Sequence, residues 1–288
     1  MRRAPGLALL LLLMLLAWAI PGSAQACTDS ALPLIFGIYT GTLLNGVGTV
    51  TITCHGNPSW KTSLDAGLGV GATTTIRKMT GPAGATLNYQ MFQDSARTIN
   101  WGNNSGVDTV SGTGNGLPEP NSVYGQVAAG QYIAPGIYTD TISAPVTASG
   151  NTAAATFTVS ATVVATCLIS ATAMAFGTYA TAAVTSTSSI SLTCTNTTSY
   201  NVGLSAGTAT GATVTNRSMT GPASALLGYK LFRDSGRTLN WGNTVGTDTV
   251  AGTGNGLPQS LAVYGQIPAG QFVRPGSYAD TITATITY

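Results

Sequence analysis

The stretch AATFTVSATVVATC, residues 154–167, decides how this chain folds. Phe157, Val159, Ala161 and Val163 alternate with Thr158, Ser160 and Thr162. Alternation of this kind predicts a β-strand with one buried face. The strand leads into Cys167 and opens the second half of the chain. The first half opens at its own cysteine, Cys27, without a comparable strand ahead of it. One half therefore carries a strand that the other lacks, and the sheet it completes has to be found.

Residues 1–26 read as an export signal. Arg2 and Arg3 precede the apolar run LALLLLLMLLAWAI (7–20), and PGSAQA follows with A-x-A spacing at Ala24 and Ala26. That run is shorter than the roughly 20 residues of a membrane-spanning helix, so the mature protein is expected outside the cytoplasm. Lipidation of Cys27 is the weaker reading, because Ala24 and Gln25 fit a lipidation box poorly. Without Arg2 and Arg3 the chain carries nine basic and nine acidic residues. Nucleic-acid binding, which needs clustered positive charge, is not expected. Charged residues make up 7% of the chain, far below the roughly 25% of ordinary soluble domains. A surface of Thr, Ser, Asn and Gly suits an assembled extracellular material better than a diffusing enzyme.

The chain repeats itself at an offset of 140 residues. MTGPAGATLNYQMF (from Met79) returns as MTGPASALLGYKLF (from Met219), and DSARTINWGN (from Asp94) as DSGRTLNWGN (from Asp234). GTGNGLP recurs unchanged at 112–118 and 252–258. Repeats this long are tandem domains rather than solenoid units. Cys27 and Cys54 match Cys167 and Cys194 at the same offset. In an oxidising compartment this predicts one disulfide per domain, worth roughly 3 kcal/mol by loop closure. No metal site is expected: there is no C-x-x-C, and the sole histidine, His55, has Thr195 as its counterpart.

Short alternating runs such as GTVTITC (48–54), SISLTC (189–194), YTDTISA (138–144) and YADTITATITY (278–288) are separated by Gly, Pro and Asn clusters. The fold class expected is all-β: two tandem immunoglobulin-like sandwiches. The boundaries expected are 27–146 for the first domain, 147–166 for a linker and strand, and 167–288 for the second.

The order of cysteine, FGTY, second cysteine, YGQ, G-Y-x-D-T and a Tyr-ending strand resembles the spore coat protein U domain family, twice over residues 27–288. That family includes subunits of archaic (Csu-type) chaperone–usher pili. The resemblance implies a sandwich that lacks its last strand. A periplasmic chaperone lends a strand during export, and a neighbouring subunit supplies one in the fibre. It also implies passage through an outer-membrane usher and display on the cell surface. On this view Phe157, Val159, Ala161 and Val163 form a donor-like strand. TASGNT (147–152) turns it back into the first domain. The second domain, which ends here at Tyr288, is left incomplete and open to a strand from another pilin subunit. With no strand ahead of Cys27 to pass on, the chain is expected to cap a fibre, as tip adhesins do, and to mediate attachment and biofilm formation on abiotic or host surfaces. The alternatives are a structural spore or cyst coat protein and a fibre shaft subunit.

The second copy serves as an internal control for adhesive residues. Leu43, Leu44, Val47, Leu68 and Val70 are bulkier than their counterparts and lie in Gly-rich contexts that read as loops. Exposed apolar residues of this kind mark contact sites. Catalysis is not expected, nor is a cofactor. His55 has no triad motif around it, and Asp94/Asp234, Asp108/Asp248 and Asp140/Asp280 sit in turn or strand contexts that explain them as local caps. GTGNGLP lacks the Lys and the following helix of a phosphate loop. Trp101 and Trp241 read as core residues, with sugar stacking by Trp101 the weaker reading.

Overall fold

The computed structural model describes residues 27–288; the export signal expected over 1–26 lies outside them. The first half contains β1 (Cys27–Leu32), β2 (Leu34–Tyr39), β3 (Leu44–Cys54), β4 (Ser59–Thr62), β5 (Arg77–Thr80), β6 (Thr86–Phe92), β7 (Val110–Thr113), β8 (Pro118–Val127), β9 (Gly136–Ala148) and β10 (Asn151–Val163). The second contains β11 (Cys167–Ala171), β12 (Val184–Cys194), β13 (Ser199–Leu204), β14 (Arg217–Thr220), β15 (Leu226–Phe232), β16 (Val250–Thr253), β17 (Gln259–Ile267) and β18 (Ala284–Thr287). Two one-turn 3-10 segments, Pro82–Gly84 and Pro222–Ser224, are the helical elements among the described residues.

Each half is a sandwich of two layers. In the first, β1-β3-β8-β6-β5 forms one layer. The other is built from β7, β4, β9, β10 and β2, and one ladder pair, Thr80–Thr139, joins the two layers. The core runs between them through Leu34, Val50, Ile52, Met79, Tyr138 and Ile142, all fully buried. The second half repeats the first layer as β11-β12-β17-β15-β14, but its second layer is reduced to β16-β13-β18. Among the described residues no strand of this half takes the place that β10 holds in the first.

The opening question is answered by pairing. β10 lies antiparallel to β9 over thirteen residue pairs, from Asn151–Ala148 to Val163–Gly136. On its other edge it runs parallel to β2, from Val159–Leu34 to Val163–Tyr39, with a bulge at Ser160/Ala161. The turn is only Ser149–Gly150, both with positive φ (49° and 80°), the two-residue geometry that suits the twist of a hairpin. Most of TASGNT thus belongs to strands rather than to a linker. Phe157, Val159, Ala161 and Val163 are 0–4% exposed.

One expected strand is not formed. YADTITATITY alternates throughout, yet only Ala284–Thr287 is a strand. Its counterpart in the first half, β9, is continuous because β10 pairs along its whole length. Likewise 174–179, the counterpart of β2, is not a strand. Both segments border the position that β10 fills in the first half, and a strand with no ladder on that edge loses its hydrogen bonds.

The halves meet end to end. The Asn196 N–H donates to the Tyr132 carbonyl (2.9 Å), and the Thr195 N–H donates to the Thr166 carbonyl (3.0 Å).

Candidate functional site

The site is the place in the second sandwich that corresponds to β10 and that no strand of the described residues fills. Two hollows of about 310 and 710 Å3 share Met174, Phe176, Met219 and Tyr278 and join as one groove. Their floor is core: Ile190, Leu231 and Val263 line the first hollow. The offset of 140 residues makes the first half a filled reference for this groove. Leu34, Met79, Tyr138 and Ile142 are 0% exposed beneath β10. Their counterparts Met174, Met219, Tyr278 and Ile282 are only partly buried. The side chains match and the burial does not, so the exposure comes from the missing strand.

The groove walls are nonetheless set. Phe176 packs edge-on to Tyr229 with ring centroids 6.0 Å apart, as Phe36 does to Tyr89. The Tyr229 hydroxyl donates to Asp280 Oδ2 (2.7 Å), and the Thr208 N–H donates to Asp280 Oδ1 (2.8 Å). Tyr89 donates to Asp140 in the same way (2.7 Å). Burial, and then the neighbouring carboxylate, push both phenols above their ordinary pKa. Burial works against ionisation of Asp280. The Thr208 N–H and the Tyr229 and Thr208 hydroxyls outweigh it and hold the carboxyl below its usual range. The Tyr179 hydroxyl donates to the Pro268 carbonyl (3.0 Å) and accepts from the Gln271 N–H (2.9 Å). Gly177 has φ +74°, close to the +87° of Gly37, which sits at the β2–β10 bulge. A frame fixed by hydrogen bonds around an apolar floor is suited to an extended chain that brings apolar side chains on one face.

Cys27–Cys54 and Cys167–Cys194 are disulfides joining directly opposed residues, of β1 and β3 in the first half and of β11 and β12 in the second. Leu43, Leu68 and Val70 are 55%, 77% and 88% exposed. Leu44 and Val47 are a correction: both lie on β3 rather than in loops. Leu44 packs on the core, while Val47 is exposed. The glycines around them serve packing, since a Cβ on Gly46 would come within 3.1 Å of Phe36. The proposed contact residues are also not one patch by position. Leu43 follows Gly41, which lies against the ring of Tyr132 at the end meeting the second half, whereas the Leu68 N–H is held by Asp140 midway along β9.

Ile35, Ile38 and Ile137 are further exposed apolar residues of the first half. Their counterparts Ala175, Thr178 and Ser277 are small or polar, and that contrast was the signal available. Asp94 accepts from the Thr98 and Ile99 N–H groups, closing its own turn. Asn115 does the same for Leu117 within GTGNGLP. Trp101 is 1% exposed, which rules out sugar stacking on its ring.

The sequence profile described as Spore Coat Protein U domain matches residues 16–145 and again 153–285. The chain belongs to this family. Protein U of Myxococcus xanthus is 48% identical over 62 residues, 22% of this chain and 34% of that relative. The chain thus matches about a third of that relative's length. Among solved structures, the crystal structure of the CsuC–CsuE chaperone–tip adhesion subunit pre-assembly complex, from the archaic chaperone–usher Csu pili of Acinetobacter baumannii, is similar over 91% of this chain and 100% of that chain. Its sequence identity is 18% and its TM-score 0.56, a likeness of fold. Two consecutive copies of the family's domain, one closed and one open, describe this chain.

Proposed function

We propose that the protein is an exported subunit of a chaperone–usher fibre, and that it sits at the fibre tip and mediates attachment and biofilm formation. The observation that carries this reading is the pair of grooves. The first is filled by the chain's own β10, and the second presents the same frame with the filling strand absent from the described residues. A strand from another polypeptide completes the second sandwich by β-augmentation. A periplasmic chaperone supplies it during export, an outer-membrane usher passes the subunit on, and the next pilin subunit supplies it in the fibre. Because the first sandwich is occupied from within, it needs no neighbour and is free to face an abiotic or host surface. Membership of the family and the fold shared with the CsuC–CsuE complex support this assignment.

Gold-labelled antibodies against residues 27–148, applied to fibres on the producing cells, test it. Label at fibre ends is expected. Label spaced along the shaft makes the protein a shaft subunit, and label in a continuous layer without fibres makes it a coat protein; either result overturns the tip assignment.

A further inference from the structure

β10 is paired on its second edge by β2 only from Val159 onward. Earlier along that edge the Ala155 N–H donates to the carboxylate of Asp29, on β1. Asp29 is the third residue of its strand, opposite Ile52. Its side chain faces inward with partly buried Cys27 and Ala31. A charge-assisted bond at such a half-paired edge is stronger than an ordinary backbone bond.

The same place in the second half holds Ile169, opposite Leu192 in the same register. Ile169 packs on the core and has no acceptor to offer. The rest of the frame matches, down to the Phe–Tyr pair, the Tyr–Asp bond and the bulge glycine. The grooves therefore differ in chemistry at the register of Ala155. A strand whose N–H enters the second groove there loses water and gains no partner.

We propose that this position, Asp29 in one half and Ile169 in the other, decides which strand each groove holds. Asp29 claims β10 for the first groove. Ile169 suits the second to a strand from another polypeptide that needs no backbone acceptor at the Ala155 register, one carrying proline there or beginning its pairing just after it. This rests on the reading of the second groove as a strand acceptor, and it adds what that strand must look like.

The test uses two labelled peptides with the sequence of residues 151–163. One is native. The other has lactic acid in place of Ala155, which exchanges the N–H for an ester oxygen and changes little else. Each is titrated by fluorescence anisotropy against the full chain and against its Ile169→Asp variant. The native chain is expected to bind the ester at least as tightly as the amide, because Ile169 leaves the Ala155 N–H without an acceptor. The variant is expected to prefer the amide by about tenfold or more, the scale of a charge-assisted hydrogen bond. An amide preference already present in the native chain, or none in the variant, overturns the proposal while leaving strand acceptance intact. If neither peptide binds the native chain, strand acceptance fails and the proposal with it. A second variant, Asp29→Ile, is read by amide exchange, so that the proposal does not depend on folding of the first. Protection of the Ala155 N–H is expected to fall about tenfold, with Val159 unchanged. Unchanged Ala155 protection overturns the role given to Asp29.

Discussion

At the scale of single residues, the most constrained side chains are charged. Arg77 is 0% exposed. It donates to four carbonyls: Asp65 (2.7 Å), Thr74 (2.8 Å), Leu64 (3.1 Å) and Trp101 (2.7 Å). Arg217 repeats the set with Ser205, Val214, Leu204 and Trp241. Burial pushes the Arg77 guanidinium down to about 10 and moves Arg217 in the same direction. Arg77 ties the loop after β4, and Arg217 the loop after β13, to the Trp-bearing loop of its half. Arg77→Met leaves those carbonyls without donors and is expected to lower stability by about 3–5 kcal/mol. Urea unfolding followed by near-UV circular dichroism measures it. Neither arginine is legible in the sequence, because Arg77 in TTTIRKMT and Arg217 in TVTNRSMT belong to no motif. The meaning of Arg77 lies in carbonyls 3 to 24 positions away.

At the scale of strands, β10 was legible because its alternation is a property of seven adjacent residues, 157–163. The failure at 278–283 has the opposite cause. The alternation is present there, but strand formation depends on a neighbour that no local pattern encodes. Leu44 and Val47 were misplaced for a related reason. Glycine density on β3 signals close approach of β2, where Leu34 and Phe36 lie over Gly46, rather than a loop. The strength of β10 as an insert rests on Phe157, 4% exposed. Phe157→Ala is expected to cost about 3–5 kcal/mol. The loss should appear in the unfolding of the first sandwich and leave that of the second unchanged. Amide exchange, resolved by half, distinguishes the two. Equal loss in both halves would mean that the sandwiches unfold as one unit.

At the scale of the whole molecule, the two halves share sequence and frame and differ in surface. Leu68 and Val70 stand where the second half has Thr208 and Thr210, and both are among the most exposed apolar residues of the chain. If the first half makes the contact, Leu68→Asp with Val70→Asp should reduce adhesion to polystyrene at unchanged fibre number. Both side chains lie outside the core, so folding should be untouched. Full adhesion by this variant removes the 66–73 loop from the contact. The domain repeat and its disulfide pairs could be read directly from the chain; the surface contrast could be read only by laying one copy against the other.

The two-residue turn at Ser149–Gly150 has a kinetic consequence. The insert of the first sandwich arrives tethered, so its local concentration is fixed by covalent linkage and does not change on dilution. Hairpins of this type zip in microseconds. Any insert that reaches the second sandwich from a separate molecule arrives by diffusion, at a rate set by supply. The chain thus carries a unimolecular clock in one half and a bimolecular clock in the other, and only the second can be slowed by scarcity.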